Sequence, residues 1–363
     1  MRAGELVSRL VLCSGVTVLM ITPGSAPASA QPTASSTKGV LAGVAATSAR
    51  NAWAVGYSGT AARPSALILR WNGKTWARVS SPVKTPGSAL DAVTAISADD
   101  AWAAGFTGTR THHVLVAAWN GHVWKRAPGL GAVGGTLTGI TAISASDAWA
   151  VGTTRSYPTG KTLVLHWNGK TWKKVASLTP GTGSEFTSVT ATSARDVWAV
   201  GNFVSKTEPF GLPLVAHWNG HRWKRLSVPF GLISGTVATS ARNAWIVGGT
   251  GGDGLSFPLI LHWNGHFWNR QKTPPVADGG ILSAVAATSA KAAWTVSLNV
   301  SNVTLILRWN GRTWKRVTTP RAATGGNLNG VASVSPASAW AVGSTGSART
   351  LILHWNGKSW AAQ

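Results

Sequence analysis

The chain has 363 residues, of which 33 are Lys or Arg and only 10 are Asp or Glu, so its formal net charge is +23. Hydrophobic residues make up 44% of the chain and charged residues 12%, which excludes a disordered basic tail. The 42 glycines and the scarcity of carboxylates exclude a helical bundle, because long helices tolerate glycine poorly and use opposite charges one turn apart.

The first 30 residues have the pattern of a secretory signal peptide. Arg2 and Arg9 give a basic start, residues 10–21 are mostly apolar, and small residues at 28–30 precede the expected cleavage site. The apolar run is shorter than the ~20 residues that span a bilayer, and no later segment is long enough. The single cysteine, Cys13, lies in this segment, so disulfides are excluded afterwards. We expect a signal peptide at 1–30 and a linker at 31–38.

Residues 39–363 contain seven copies of one unit. An Ala-Trp-Ala-Val-Gly-like pattern recurs every 46–49 residues, and each copy is followed by a Trp-Asn-Gly motif with a further Trp five residues after the motif's own. Three tryptophans per unit account for all 21 in the chain. The units are predicted at residues 39–82, 89–130, 136–177, 186–229, 233–273, 282–319 and 328–363.

Each unit is predicted to form four strands, as the first unit illustrates. Residues 43–46 form the first strand, and residues 48–51 form a Ser-Ala-Arg-Asn turn in which the Asn side chain bonds nearby backbone. The second strand is 52–55 and the third is 67–71. Asn72 and Gly73 then supply the positive φ values of a tight hairpin turn, and the fourth strand begins at Trp76.

Four antiparallel strands repeated seven times predict an all-β fold, a seven-bladed β-propeller with four strands per blade. A linear solenoid is the alternative, but the units at the ends are not atypical, which favours a closed ring. The ring is expected to close by packing of blade 1 against blade 7, without a strand exchanged between them.

The repeats resemble those of known propellers. Ser-Ala-x-Asp-x-Trp-Ala-Val-Gly and Leu-x-Leu-His-Trp-Asn-Gly-Lys-x-Trp resemble the BNR (Asp-box) type, the photosystem II assembly-factor type, and repeats of secreted bacterial propellers, actinobacterial ones in particular. The resemblance covers residues 39–363 and implies the fold, although propellers host unrelated activities. An Asp-box has Asp five residues before the hairpin Trp, where this chain has Trp71 and its equivalents. Neither sialidase activity nor a photosynthetic role is therefore implied.

The repeated tryptophans have two candidate roles. Identical placement in every unit is what packing between blades requires, because Trp is a large core side chain. Exposed tryptophans could instead stack on sugars, and the outer-strand set that begins with Trp76 would then be the most accessible. We expect packing to be the role of the set as a whole.

Acidic residues and histidines form no recognisable catalytic or metal-binding pattern. Asp100, Asp147 and Asp196 share one turn position, and the other carboxylates are scattered over different units. Glycoside hydrolysis needs two carboxyl groups about 5–10 Å apart, and no spacing indicates such a pair. His166 has an Arg in its place in two other units, which indicates a half-exposed strand position and not a metal ligand. No catalytic residue, metal or cofactor is predicted.

Positive charges are concentrated at and after the Trp-Asn-Gly turns, which a propeller places on its outer strands. Such a basic rim protects exposed strand edges from pairing, or attracts anionic partners. Edge protection alone does not explain the near absence of acids. The candidate binding residues on this rim are Lys125, Arg126, Lys173, Lys174, Lys224, Arg225, Lys315 and Arg316.

The variable loops between second and third strands supply a second set of candidates. Arg63, Arg110 and Arg155 occur in consecutive blades, and an arginine cluster would bind a carboxylate or phosphate. Tyr157 is the fourth candidate in this set. With Glu208 it would form a sialidase-like nucleophile, which is the enzymatic alternative.

These observations predict a secreted binding or scaffolding module, extracellular or associated with the cell envelope and monomeric. Its expected partner is an anionic glycopolymer or a secreted protein. The alternatives are a lectin for neutral glycans with exposed Trp, and a hydrolase or lyase acting on acidic glycans. Nucleic acid fits the charge but not export, and no base-reading motif is present.

Overall fold

The structure is a computed structural model that describes residues 37–131, 133–252, 255–276, 279–297 and 304–363. These residues form seven four-stranded antiparallel sheets, the blades of a β-propeller, which confirms the predicted fold class. The predicted signal peptide and residues 31–36 of the predicted linker lie outside the described residues. Within the described ranges, the helical structure is one 3₁₀ turn, Arg321–Ala323, and no helix is long and apolar enough to cross a membrane.

In every blade the four strands follow one another in chain order, from the centre of the ring to its outer edge. The inner strands are Val40–Ser48, Ser88–Ala95, Thr136–Ser144, Gly183–Ser193, Leu232–Ser240, Leu282–Ser289 and Asn327–Ser335. The second strands are Asn51–Thr60, Ala101–Thr107, Asp147–Thr153, Asp196–Val204, Asn243–Gly252, Ala292–Ser297 and Ser338–Ser344. The third strands are Arg63–Trp71, His113–Trp119, Thr162–Trp167, Leu212–Trp218, Leu255–Trp263, Ile306–Trp309 and Thr350–Trp355. The outer strands are Trp76–Val79, Trp124–Arg126, Trp172–Val175, Trp223–Leu226, Trp268–Arg270, Trp314–Val317 and Trp360–Ala362.

The turn from inner to second strand is shaped by a different side chain from the one predicted. The Ser48 hydroxyl accepts a hydrogen bond from the Arg50 N–H at 3.2 Å, and the equivalent serine does so in all seven blades. Asn51 instead donates to the Thr47 hydroxyl at 2.8 Å. The prediction that Asn51 bonds nearby backbone was wrong, because the serine three residues earlier already satisfies the turn and leaves the Asn side chain for another partner.

The Trp-Asn-Gly turn also differs in one respect from the prediction. Trp71 pairs directly with Trp76, so the connection has four residues. Gly73 has the predicted positive φ, 95°, but Asn72 is not among the described residues with positive φ. Asn72 acts through its side chain instead, since its Oδ1 accepts hydrogen bonds from the N–H groups of the third and fourth turn residues, both at 2.9 Å. A connection of four residues, unlike the two-residue turn that was predicted, is closed by these side-chain hydrogen bonds and needs only one residue with positive φ.

Tryptophan triplets join every pair of neighbouring blades. In each triplet the second-strand Trp of one blade packs against the third-strand and outer-strand Trp of the next. Trp198, for example, lies 5.1 Å from Trp263 and 5.2 Å from Trp268, edge-on to the latter at 89°. The same arrangement occurs at the other six interfaces. All 21 Trp side chains are buried or half-buried, which confirms the packing role.

The ring closes between blades 7 and 1. Blade 7 contains only its own four consecutive strands, so among the described residues no strand is exchanged between the ends, as expected. Trp340 of blade 7 packs against Trp71 and Trp76 of blade 1, each at 5.1 Å between ring centroids. The Thr350 N–H of blade 7 also donates to the Thr37 carbonyl at 3.0 Å. The closing interface therefore repeats the chemistry of the other six.

Candidate functional site

The eight predicted rim residues all lie on outer strands, in blades 2, 3, 4 and 6, and all are exposed. They form a band around the edge of the disk and not a single patch. Blades 1 and 5 extend the band with Arg78 and Arg270, whose guanidinium groups reach second-strand hydroxyls of their own blades. No outer strand contains Asp or Glu. The band, which we call the basic rim, therefore presents positive charge without a neutralising partner on the same strands.

In six blades the residue before the Trp-Asn-Gly motif is His or Arg and covers the second-strand tryptophan, whereas blade 2 has Ala118 at this position. His217 packs on Trp198 with 4.2 Å between ring centroids and a tilt of 32°, and its Nε2 lies 2.6 Å from Asp196 Oδ1. Burial opposes ionisation of Asp196, but the hydrogen bond from His217 helps to lower its pKa overall. In blade 1, Arg70 takes the histidine position and lies 5.0 Å over Trp53. This shared packing role explains why His and Arg replace each other. Among the described residues no three His, Cys, Asp or Glu side chains converge on a metal site.

The inner strands enclose a central channel of about 220 Å³. A β-bulge in each inner strand places one residue at the channel; these channel residues are Ala42, Asp91, Thr138, Thr187, Ser234, Ser283 and Asn329. Four of their polar members link neighbouring blades by hydrogen bonds. Thr138 Oγ1 donates to the Phe186 carbonyl at 2.6 Å, and Asn329 Nδ2 donates to the Leu41 carbonyl at 2.8 Å. Two further members make the equivalent bond.

Asp91 is the one acidic residue in this ring of channel residues. Thr138 and Asn329 supply hydrogen-bond donors at the same position in their blades, and an ionised carboxylate has none. Burial raises the pKa of Asp91 to about 7. Below that pH the protonated carboxyl group carries the O–H donor that the position uses elsewhere in the ring.

Tyr157, predicted as a contact on the variable loops, is buried instead. Only 7% of the residue is exposed, and its hydroxyl oxygen is shielded from solvent. Burial raises its pKa to about 12, and the charge of Glu185 on the inner strand of blade 4 adds to this shift. Burial raises the pKa of Glu185 to about 7 as well. Blade 4 approaches this tyrosine, since a Cβ atom placed on Gly211 would lie 2.9 Å from the Tyr157 hydroxyl oxygen.

Glu208, the acidic partner predicted for Tyr157, is exposed, and its N–H bonds the Ser205 hydroxyl at 3.0 Å. The carboxyl group that acts on Tyr157 is that of Glu185. The sequence missed this pair because nothing in the spacing of blades 3 and 4 relates a loop residue to the next inner strand.

Arg110 and Arg155 are exposed on the second-to-third-strand connections of blades 2 and 3, and Arg63 is exposed at the start of the third strand of blade 1. We call the side of the disk that carries these connections and the links between blades the loop face. In the described residues no hydrogen bond or ion pair joins these three guanidinium groups to an acid. They stay candidate anion contacts, one per blade.

Three exposed phenylalanines on the loop face were not predicted. Phe210, Phe230 and Phe257 are 59%, 55% and 43% exposed and belong to blades 4 and 5 and the link between them. We call them the phenylalanine patch. Phenylalanine is used sparingly in this chain, with 7 copies, and these three lie outside the repeated positions. That irregularity was the signal available in the sequence.

No protein-family model matches the chain, and no curated protein matches it. Solved structures do match. YCF48 bound to D1 peptide is 14% identical with a TM-score of 0.60, over 91% of this chain and 99% of that chain. A PL25 ulvan lyase bound to a GlcA-Rha3S saccharide is 10% identical with a TM-score of 0.60, over 90% and 96%. The BP39L lectin from Burkholderia pseudomallei is 14% identical with a TM-score of 0.57, over 91% and 99%.

These similarities are too distant to establish more than the fold. They confirm the resemblance to photosystem II assembly-factor propellers at that level. The three proteins bind a peptide or glycans, or act on a glycan, according to their names, so the shared fold serves both binding and catalysis. The function of this chain must be argued from its own surface.

Proposed function

We propose that this protein is an exported binding or scaffolding module that recognises an anionic glycopolymer of the cell envelope or extracellular space through its basic rim. Export is supported by the signal-like pattern of residues 1–30. The hairpin keeps the Gly and the final Trp of a BNR-type repeat, as in Gly73 and Trp76, although Trp71 replaces the Asp of an Asp-box. The proposal needs no catalytic group, and the two carboxyl groups whose pKa values are most raised, Asp91 and Glu185, lie on inner strands away from the rim.

One observation carries the proposal: the outer strands of six blades carry exposed cations and no acid. Edge protection would be served equally by acidic residues, which would also reduce repulsion within a chain of charge +23. A field of one sign raises the local concentration of anions and speeds their association. Repeated weak contacts along a ring suit a polymer, because many sites on the polymer can meet many sites on the disk.

Reversal of four rim charges is the test. The variant Lys125→Glu, Lys173→Glu, Lys224→Glu and Lys315→Glu changes one exposed outer-strand lysine in each of four blades. We expect it to bind immobilised polygalacturonate or dextran sulfate at least roughly tenfold more weakly than the parent at low salt. Parent binding should fall steeply as salt rises, since exposed charges are screened. Neutral dextran should bind neither protein.

The matched control reverses four cations in the Trp-Asn-Gly turns: Lys74→Glu, Lys170→Glu, Arg222→Glu and Lys358→Glu. These residues are exposed, and the change in net charge is the same. The control should retain most of the binding. Equal losses of binding in both variants would show that net charge, and not the position of the charges on the rim, determines the affinity. Parent binding that survives high salt would refute the electrostatic mechanism.

A further inference from the structure

The phenylalanine patch is unusual because the packing of the ring hides the tryptophans, which are the most abundant aromatic residues of the chain. No Trp of the described chain is exposed, whereas each patch residue has 43–59% of its surface in solvent. Exposed apolar groups that cluster mark interaction sites, while scattered ones carry no such meaning. The question is therefore whether the three rings form one surface.

The segments that carry Phe210 and Phe230 are in contact with each other. A Cβ atom placed on Gly211, the residue after Phe210, would lie only 2.8 Å from Leu232 Cδ2, so the Gly211 backbone packs closely against Leu232. Leu232 begins the inner strand of blade 5, two residues after Phe230. The loop of blade 4 and the link to blade 5 are therefore in direct contact.

The segment that carries Phe230 also contacts the strand pair that carries Phe257. A Cβ atom placed on Gly231, the residue after Phe230, would lie 3.1 Å from Thr250 Cγ2, so the Gly231 backbone packs closely against Thr250. Thr250 pairs with Phe257 across the second and third strands of blade 5. The three phenylalanines thus belong to one continuous stretch of the loop face.

Arginines from the basic rim flank this stretch on both blades. The Arg225 guanidinium lies 4.3 Å over the ring of Phe203, which pairs with Leu212 next to the loop of Phe210. On blade 5, Arg270 Nη2 donates to the hydroxyl of Thr250 at 3.5 Å. Both cations are held where the rim meets the patch.

We infer that the phenylalanine patch, with Arg225 and Arg270, docks a protein segment that carries apolar side chains flanked by Asp or Glu. Aromatic residues and Arg are the types enriched in protein interfaces, where they supply most of the binding energy. The flanking cations and the net charge of +23 select an acidic partner. This surface shares Arg225 and Arg270 with the basic rim, but its phenylalanines lie on the loop face, apart from the rim lysines whose reversal tests polymer binding.

A glycan fits the patch less well than a protein. Sugar recognition needs hydrogen-bonding groups beside the stacking ring, and phenylalanine has none. The nearby Asn202 is not available, because its Nδ2 donates to the Ile233 carbonyl at 3.0 Å and its Oδ1 accepts from the Ile233 N–H at 2.8 Å. Apolar side chains of a protein need no such partner.

Selection from a phage library of random 12-residue peptides on the protein of residues 31–363 tests this inference. We expect the enriched peptides to combine Leu, Phe or Trp with Asp or Glu. The variant Phe210→Ser, Phe230→Ser and Phe257→Ser should bind them at least tenfold more weakly. Urea unfolding midpoints equal to the parent's will show that the variant is folded.

Phe267→Ser is the matched control, because Phe267 is 58% exposed in the Trp-Asn-Gly turn of blade 5, away from the loop face. It should bind the selected peptides like the parent. Absence of enrichment, equal binding by the triple variant, or loss of polygalacturonate binding instead of peptide binding in that variant would each overturn the inference. Because peptides and polyanion are measured separately, either proposal can fail without the other.

Discussion

Replacing Trp340 with alanine is expected to lower the free energy of unfolding by about 3–5 kcal/mol, the usual cost of removing a buried Trp side chain. Trp340 is fully buried and joins blade 7 to blade 1 through Trp71 and Trp76. His354, which stacks on it at 4.1 Å, would lose its support as well. Urea unfolding followed by circular dichroism measures the loss.

Trp198→Ala is the matched control, because Trp198 has the same partners at a connected interface: His217 at 4.2 Å and two tryptophans at 5.1 and 5.2 Å. Its global cost should be similar. Only Trp340→Ala should also speed hydrogen exchange in blades 1 and 7 under native conditions, since no peptide link holds that interface together. Identical exchange in the two variants would show that the closing interface has no special weakness.

Replacing Asp91 with asparagine is expected to remove a decrease of stability between pH 4 and pH 7. Burial raises the pKa of Asp91 to about 7, well above its value of 3.8 in an exposed setting. In this window the folded protein keeps a proton that the unfolded chain releases, so stability falls as pH rises, by up to about 4 kcal/mol, and is constant above it. The channel leaves Asp91 partly accessible to water, so the loss will be smaller than this limit.

Asparagine suits this position because Asn329 occupies it in blade 7 and donates to the next blade at 2.8 Å. The variant should match the parent near pH 4 and exceed it at pH 8 by about 1–3 kcal/mol, the cost of a buried acceptor without a donor. Urea midpoints at the two pH values measure this. Glu185 will leave a residual slope of the same sign in both proteins, because burial raises its pKa too. Asp99→Asn, which changes an exposed carboxyl group, serves as the control. A decrease of stability with pH in Asp91→Asn that is as large as the parent's would contradict the expectation.

The repeat pattern was sufficient to predict the blades, because each unit carries its own strands, turns and three tryptophans. Packing between blades followed from the identical placement of the tryptophans. Side-chain roles within the turns did not follow. Ser48 and Asn51 are both good turn formers, and only the register decides which of them bonds the backbone. Asn72 shows the same limit, since its role depends on a connection of four residues and not two.

The candidate site was predictable only where it repeats. The rim lysines occur at fixed offsets from Trp-Asn-Gly, so the sequence located them on the outer strands. Tyr157 and Phe210 lie in loops without periodicity, and the neighbouring blade determines that one is buried and the other exposed. The raised pKa of Asp91 depends on the channel that seven inner strands create together. No single repeat contains that information.

Closure without strand exchange brings the two ends of the described chain to a single strand. Thr37 accepts a hydrogen bond from the Thr350 N–H at 3.0 Å, and Gln363 donates one to the Ile352 carbonyl, also at 3.0 Å. A short linker from residue 363 to residue 37 would therefore complete a cyclic polypeptide, and a new opening in any link between blades would give a circular permutant with the same seven interfaces. A chain that starts at any of the seven blades can therefore form the same ring, with the same basic rim and the same loop face.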